Sequence, residues 1–143
     1  EYYYPWRNKV EEEIAALSRS NHILHCSVHT FPPVVNNITR EVDVAILYSE
    51  DRKHEVSFAE KFIEFLSQEN PKLRLQSNYP IPDGHIGFVH YLKEQKFSKK
   101  YIGIQLEVNQ AFPSGKSDKW IELRKNIVKS YKLALKEFKA SFL

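Results

Sequence analysis

Apolar side chains recur along the chain in two rhythms. Val10, Ile14 and Leu17 return at i, i+4 and i+7, with Glu11, Glu12 and Glu13 grouped between them. This spacing predicts an amphipathic helix from Trp6 to Ser18, behind Pro5 and closed by Ser20-Asn21. His22 to His29 is a short run of mostly apolar or small residues, the pattern of a buried strand, and Pro32-Pro33 ends it by removing two backbone donors. A loop with an Asn36-Asn37 turn follows. Val42 to Tyr48 reads as a second buried strand. Phe58, Phe62, Phe65 and Leu66 then mark a helix from Glu55 to Glu69, stopped by Asn70-Pro71. Leu73 and Leu75 alternate as in a short strand, and Ser77 to Gly84, with two prolines and a glycine, is loop. Ile86 to Gln95 returns to a helical pattern, with Phe88, Val89 and Leu92 facing inward. Tyr101 to Val108 is the third strong strand, Phe112 to Gly115 a turn, and Lys119 to Phe142 the longest helix. That helix carries Trp120, Leu123, Ile127, Tyr131, Ala134 and Phe138 on one stripe.

Strands alternating with helices imply an α/β domain: three layers, a mainly parallel or mixed sheet, and helices on both faces. The 143 residues fit one domain covering 1–143, with no repeat and no shift in composition. A 42% hydrophobic share with 27% charged residues makes a packed core and argues against disorder. The single cysteine, Cys26, excludes an intrachain disulfide framework. No apolar run reaches the roughly 18 residues that span a bilayer, and no secretory leader is visible; a cytoplasmic setting is expected. The net charge of +3 is too mild to indicate a nucleic-acid partner, and the lysines of the last helix read as its solvated face. No Gly-x-Ser-x-Gly, Walker A or Gly-x-Gly-x-x-Gly element occurs, and the chain has four glycines in all.

In open α/β sheets, function gathers beyond the carboxyl ends of strands. That rule selects the segments after His29, Leu75 and Glu107. His22, His25 and His29 fall within eight positions. His25, Ser27 and His29 share one strand face by their even spacing, and Cys26 shares the other with His22. His29, at the strand's end, reads either as a zinc ligand or as a hydrogen-bonded histidine. Glu107 is a carboxylate near the end of a buried strand. Such a group is costly unless paired or functional, so it reads either as a general base or as a salt-bridge partner of Arg40 or a lysine. Arg40 stands just before a buried strand, with a fork that matches a carboxylate. Asn78 sits in the stiff Asn78–Gly84 loop, where its amide suits a turn or a ligand. Cys26 has the setting of an inert core thiol.

Four blocks then carry a resemblance: Ile23–Pro32, Arg40–Tyr48, Asn78-Tyr-Pro80 with Asp83-Gly84, and Tyr101–Gln110. In this order, and with Tyr4-Pro5-Trp6-Arg7 ahead of them, they resemble the N-formylglutamate amidohydrolase family. That family is similar to zinc carboxypeptidases, with a phosphorylase/hydrolase-like core. The resemblance implies zinc-dependent hydrolysis of the amide of an N-acyl amino acid or small peptide-like substrate. It implies His29 as the last metal ligand, Glu107 as general base, and Arg40 and Asn78 as substrate-binding residues. The family's other two ligands come from an upstream His-x-x-Glu or closely related motif. No histidine of this chain is followed at the third position by Glu or Asp, so the remaining zinc ligands are not found here. The expectation is therefore the C-terminal part of a longer amidohydrolase. Its alternative is a non-catalytic carboxylate-binding domain lacking a complete metal site. Ile81 replaces a tyrosine common in the family, and Lys93 stands near an expected arginine.

Overall fold

The computed structural model describes residues 3–79, 87–97, 99–115 and 118–140. Asp83-Gly84, Ile81, the predicted helix start at Ile86 and the predicted helix end at Phe142 lie outside the described residues. The described elements are helix α1 (Tyr3–Ser18), strands β1 (Ile23–Phe31), β2 (Val34–Val35), β3 (Ile38–Thr39) and β4 (Val44–Leu47), helix α2 (Lys53–Glu69), strand β5 (Leu75–Ser77), helix α3 (Phe88–Lys93), strand β6 (Tyr101–Asn109), a 3-10 turn (Pro113–Gly115) and helix α4 (Asp118–Ala140).

The architecture is α/β with a mixed sheet. Four strands take the order β1-β6-β4-β5. β4 is antiparallel to β6, with Ala45 opposite Glu107, and parallel to β5, with Ala45 opposite Gln76. Ile23 N donates to Lys100 O where β1 and β6 begin, and Gln110 N donates to Phe31 O where they end, both at 2.8–2.9 Å. Residue numbers thus rise together along these neighbours, so β1 and β6 run parallel.

The chain divides into two compact units, Glu1–Ser27 with Ile81–Ile104, and Val28–Pro80 with Gln105–Leu143. Composition carries no trace of this division, and two of its three changeovers fall within the continuous strands β1 and β6. In the first unit, α1 begins at Tyr3, three residues before the expected start. Pro5 sits in its first turn, where a backbone N–H has no helical acceptor to lose. Ile14 packs with Leu92 and Tyr101 in a small core joined by Val10, Ile23, Phe88 and Phe97. Leu17 points outward at 52% exposure, and Ser18 takes the buried place, its hydroxyl donating to Ala15 O. Gly103 belongs here by necessity: a Cβ at this position would come within 2.6 Å of Tyr101 Cε1 and 2.7 Å of Val89 Cγ1.

In the second unit, α2 packs along α4 and against β4. Phe58, Phe62 and Leu66 are fully buried, as the helical stripe predicts. Phe58 meets Tyr131 and Phe138 edge-on at 5.4 and 5.5 Å, the favoured arrangement of aromatic quadrupoles. Val44, Ile46, Leu106 and Val108 form the buried apolar face of the sheet. The expected loop after Pro33 contains a hairpin: Val34 pairs with Thr39 and Val35 with Ile38. Asn36 and Asn37 have φ of 51° and 61°, the paired left-handed geometry of a tight two-residue hairpin turn. Strands of two residues carry no periodicity, so the turn was visible and the strands were not.

Two substitutions test this packing. Gly103→Ala should lower stability by about 1–3 kcal/mol, the usual range for overpacking, as read by urea denaturation. Ser130 is fully buried on α4 and its hydroxyl has no hydrogen-bond partner among the described residues. Ser130→Ala should therefore be neutral or stabilising by up to about 2 kcal/mol; a clear loss of stability would show that the hydroxyl is satisfied.

Candidate functional site

Side chains alternate between the two sheet faces along β6. Leu106 and Val108 go to the apolar side, so Gln105, Glu107 and Asn109 share the other. The Gln110–Phe31 bond places Phe31 beside Asn109, and two residues back places His29 beside Glu107 on the adjacent strand. On the other flank Glu107 is opposite Ala45, which is fully buried. His29 and Glu107 thus lie on one face, side by side across a strand spacing of about 4.8 Å. His29 is exposed, whereas Glu107 is only 5% exposed.

That burial sets the chemistry of Glu107. Loss of hydration raises its pKa above the ordinary carboxylate value, while His29 and Arg40 act electrostatically to lower it. Desolvation is the largest of the three effects. Among the described residues Glu107 forms no ion pair, and neither does Arg40, which is itself buried. Attraction between them operates across a gap rather than through a salt bridge. The salt bridge that does form nearby belongs to Arg74. Its guanidinium holds Asp43 through Nε at 3.2 Å and Nη2 at 2.7 Å, and also pairs with Glu41.

Arg40 is held instead by rings and by its backbone. Its guanidinium carbon lies 5.5 Å from the Phe31 centroid and 5.7 Å from that of Tyr79. The two rings are themselves 5.7 Å apart. They pack with Val42, Ala45 and Leu47 over this face of the sheet. Asn109, 3% exposed, donates from Nδ2 to Val42 O at 2.9 Å and to Arg40 O at 3.4 Å, and its Oδ1 accepts from Ala111 N at 3.0 Å. This one amide ties the segment carrying Arg40 to the end of β6. Residue spacing alone did not single out Asn109, Phe31 or Tyr79. The signal for Asn109 was its parity with Glu107 on a buried strand.

Asn78 has a different placement. Because β4 opposes β6, the carboxyl end of β5 lies at the end of the sheet away from the turn after β6. The three segments chosen by the strand-end rule therefore do not share one end. The Asn78 amide is engaged locally: Oδ1 accepts from Tyr48 N at 2.9 Å, and Nδ2 donates to Glu50 at 3.0 Å. Its backbone is left-handed at φ 48°, a conformation asparagine tolerates. The next residue, Tyr79, nonetheless reaches Phe31 and Arg40.

Among the described residues no group of three or more His, Cys, Asp or Glu side chains is arranged to hold a metal ion. His29 contributes one imidazole beside one carboxyl. Cys26 is no substitute ligand: burial pushes its thiol up to about 11, as for an inert core cysteine.

No protein-family model matches the chain, and no curated protein matches it. Among solved structures, it is similar to the crystal structure of gene product Atu2144 from Agrobacterium tumefaciens, with a TM-score of 0.67 and 18% identity. The match covers 97% of this chain and 51% of that one, so the chain spans about half its neighbour's length. At this identity the likeness carries the α/β fold alone. No helix among the described residues is long and apolar enough to cross a membrane.

The electrostatics of Glu107 make a testable statement about stability. A carboxyl with a raised folded-state pKa contributes most to stability below the ordinary carboxylate range. Its contribution falls as pH climbs toward the folded-state value, then stays level. Glu107→Gln removes this titration. Its urea midpoint should gain on that of the wild type from pH 4 upward and hold the advantage at neutral pH. A difference independent of pH would show that Glu107 is not desolvated.

Proposed function

We propose that the chain is the C-terminal part of a zinc-dependent amidohydrolase. Its substrate is a small N-acyl amino acid of the N-formylglutamate kind. One observation supports this most: a buried carboxyl with no ion pair among the described residues, Glu107, stands next to His29 and within electrostatic range of Arg40, a buried guanidinium likewise without an ion pair among them. In this reading Arg40 takes the substrate's carboxylate in its planar fork, which positions the amide. Asn78, with one amide hydrogen beyond its bond to Glu50, offers that N–H to the ligand. Glu107 accepts a proton from the attacking water and passes it to the departing amine nitrogen. A carboxyl with a raised pKa suits both halves of that task. Of the metal's ligands, His29 fits one place, as an imidazole at an exposed strand position. Bound zinc supplies Lewis acidity toward the carbonyl and the water. The donor set among the described residues is otherwise short of the three protein ligands usual in catalytic zinc sites; this reading draws the others from outside them. The free thiol of Cys26 suits the reducing cytoplasm, where we place the protein.

The shortfall in metal donors is the specific observation behind a second reading. The same face would then bind carboxylate ligands without turnover. Formate release from N-formylglutamate by the intact gene product, with zinc and with chelator, separates the two. Hydrolysis predicts that Glu107→Gln lowers kcat by about 10²–10⁴-fold, the span of a lost general base, with ligand binding retained. Arg40→Lys should raise KM about ten-fold or more, because an ammonium cannot form the two-point contact. Normal turnover in Glu107→Gln rejects the general-base role. Calorimetric binding that ignores chelator, with no formate released, establishes the second reading.

A further inference from the structure

We infer that Phe31 and Tyr79 are positioning residues. They form an aromatic clamp that holds the Arg40 guanidinium with its donor edge free for an incoming carboxylate. The inference rests on the carboxylate-binding role proposed for Arg40, and gives that role a physical mechanism.

A buried arginine ordinarily lies against a carboxylate, because an uncompensated charge away from water is expensive. Arg40 is 8% exposed and has no ion pair among the described residues. What compensates it is the pair of rings at 5.5 and 5.7 Å, within the roughly 6 Å over which a ring face attracts a cation. The two ring centroids are 5.7 Å apart, so both rings lie on one side of the guanidinium and leave its other side uncovered by them. Among the described residues no acceptor takes an Arg40 side-chain N–H, so those donors stay available for a bidentate acceptor.

The clamp is assembled from three parts of the second unit. Phe31 closes β1 and is 4% exposed. Tyr79 is delivered by the left-handed turn at Asn78, whose backbone N–H bonds Ile46 O at 3.0 Å and whose amide bonds Tyr48 and Glu50. Arg40 enters on a segment held by the Asn109 amide. All three of these Asn78 hydrogen bonds fix the residue that precedes Tyr79. The Tyr79 hydroxyl is not required by this arrangement; the ring is.

Nuclear magnetic resonance on the full chain tests the inference. The side-chain Nε–H of Arg40, assigned by its disappearance in Arg40→Lys, should show a ring-current shift in the wild type. Tyr79→Phe should keep that shift, and Tyr79→Ala should move the signal toward that of a solvated arginine. N-formylglutamate, titrated with chelator present so that turnover plays no part, should bind about ten-fold more weakly to Tyr79→Ala and normally to Tyr79→Phe. That loss matches the attraction expected of a desolvated cation–ring contact. Thermal midpoints of both variants identify any loss of fold, which the phenylalanine variant is not expected to show. An unchanged Arg40 signal or unchanged affinity in Tyr79→Ala overturns the clamp. A ring-shifted Arg40 in a wild type that binds no N-formylglutamate overturns the carboxylate role of Arg40, and with it the purpose assigned to the clamp.

Discussion

A carboxyl deprived of water is the constraint around which this face of the sheet is organised. Glu107 sits near the carboxyl end of a strand whose residues are almost all buried. Hydrogen bonds or a direct cation would have offset its desolvation. The structure provides neither among the described residues; it leaves the group at a raised pKa, eased only by His29 and Arg40 at longer range. A fold selected for stability alone favours an apolar side chain there, since replacing buried charges with well-packed hydrophobic groups is commonly neutral or stabilising. Perturbed acids of this kind concentrate at functional sites.

The surrounding framework shows how a second cation is kept from cancelling that acid. Asp43 and Glu41 occupy Arg74 at the edge of the sheet. Arg40 is held by aromatic faces and by the backbone grip of Asn109. Had Arg40 collapsed onto Glu107, the two would form an ordinary structural salt bridge with nothing left to offer a ligand.

Much of the element order was legible in the chain itself. The stripe of Phe58, Phe62 and Leu66 and the alternation through Leu106, Glu107 and Val108 are local, because helix and strand periods impose themselves on whichever residues must be buried. Leu17 shows the limit. It continues the α1 stripe in sequence yet is exposed, and Ser18 is buried beside it, since nothing local says where the facing surface ends. The short hairpin at Val34–Thr39 fell below the length at which a period exists. The antiparallel setting of β4 against β6 was equally invisible: pairing partners are chosen across the fold, and this choice sends Asn78 to the far end of the sheet from the turn that follows Glu107.

By itself, then, the chain's pattern determined which segments become helix or strand, and that an imidazole, a carboxylate and an arginine deserve suspicion. Covalent neighbours and side-chain periodicity suffice for that. Only the tertiary structure decided that His29 and Glu107 are lateral neighbours, that Arg74 rather than Arg40 takes the structural acids, and that Tyr79 and Phe31 cover Arg40. Those facts depend on strand register, and register is set by how whole faces bury against one another rather than by any short stretch of residues.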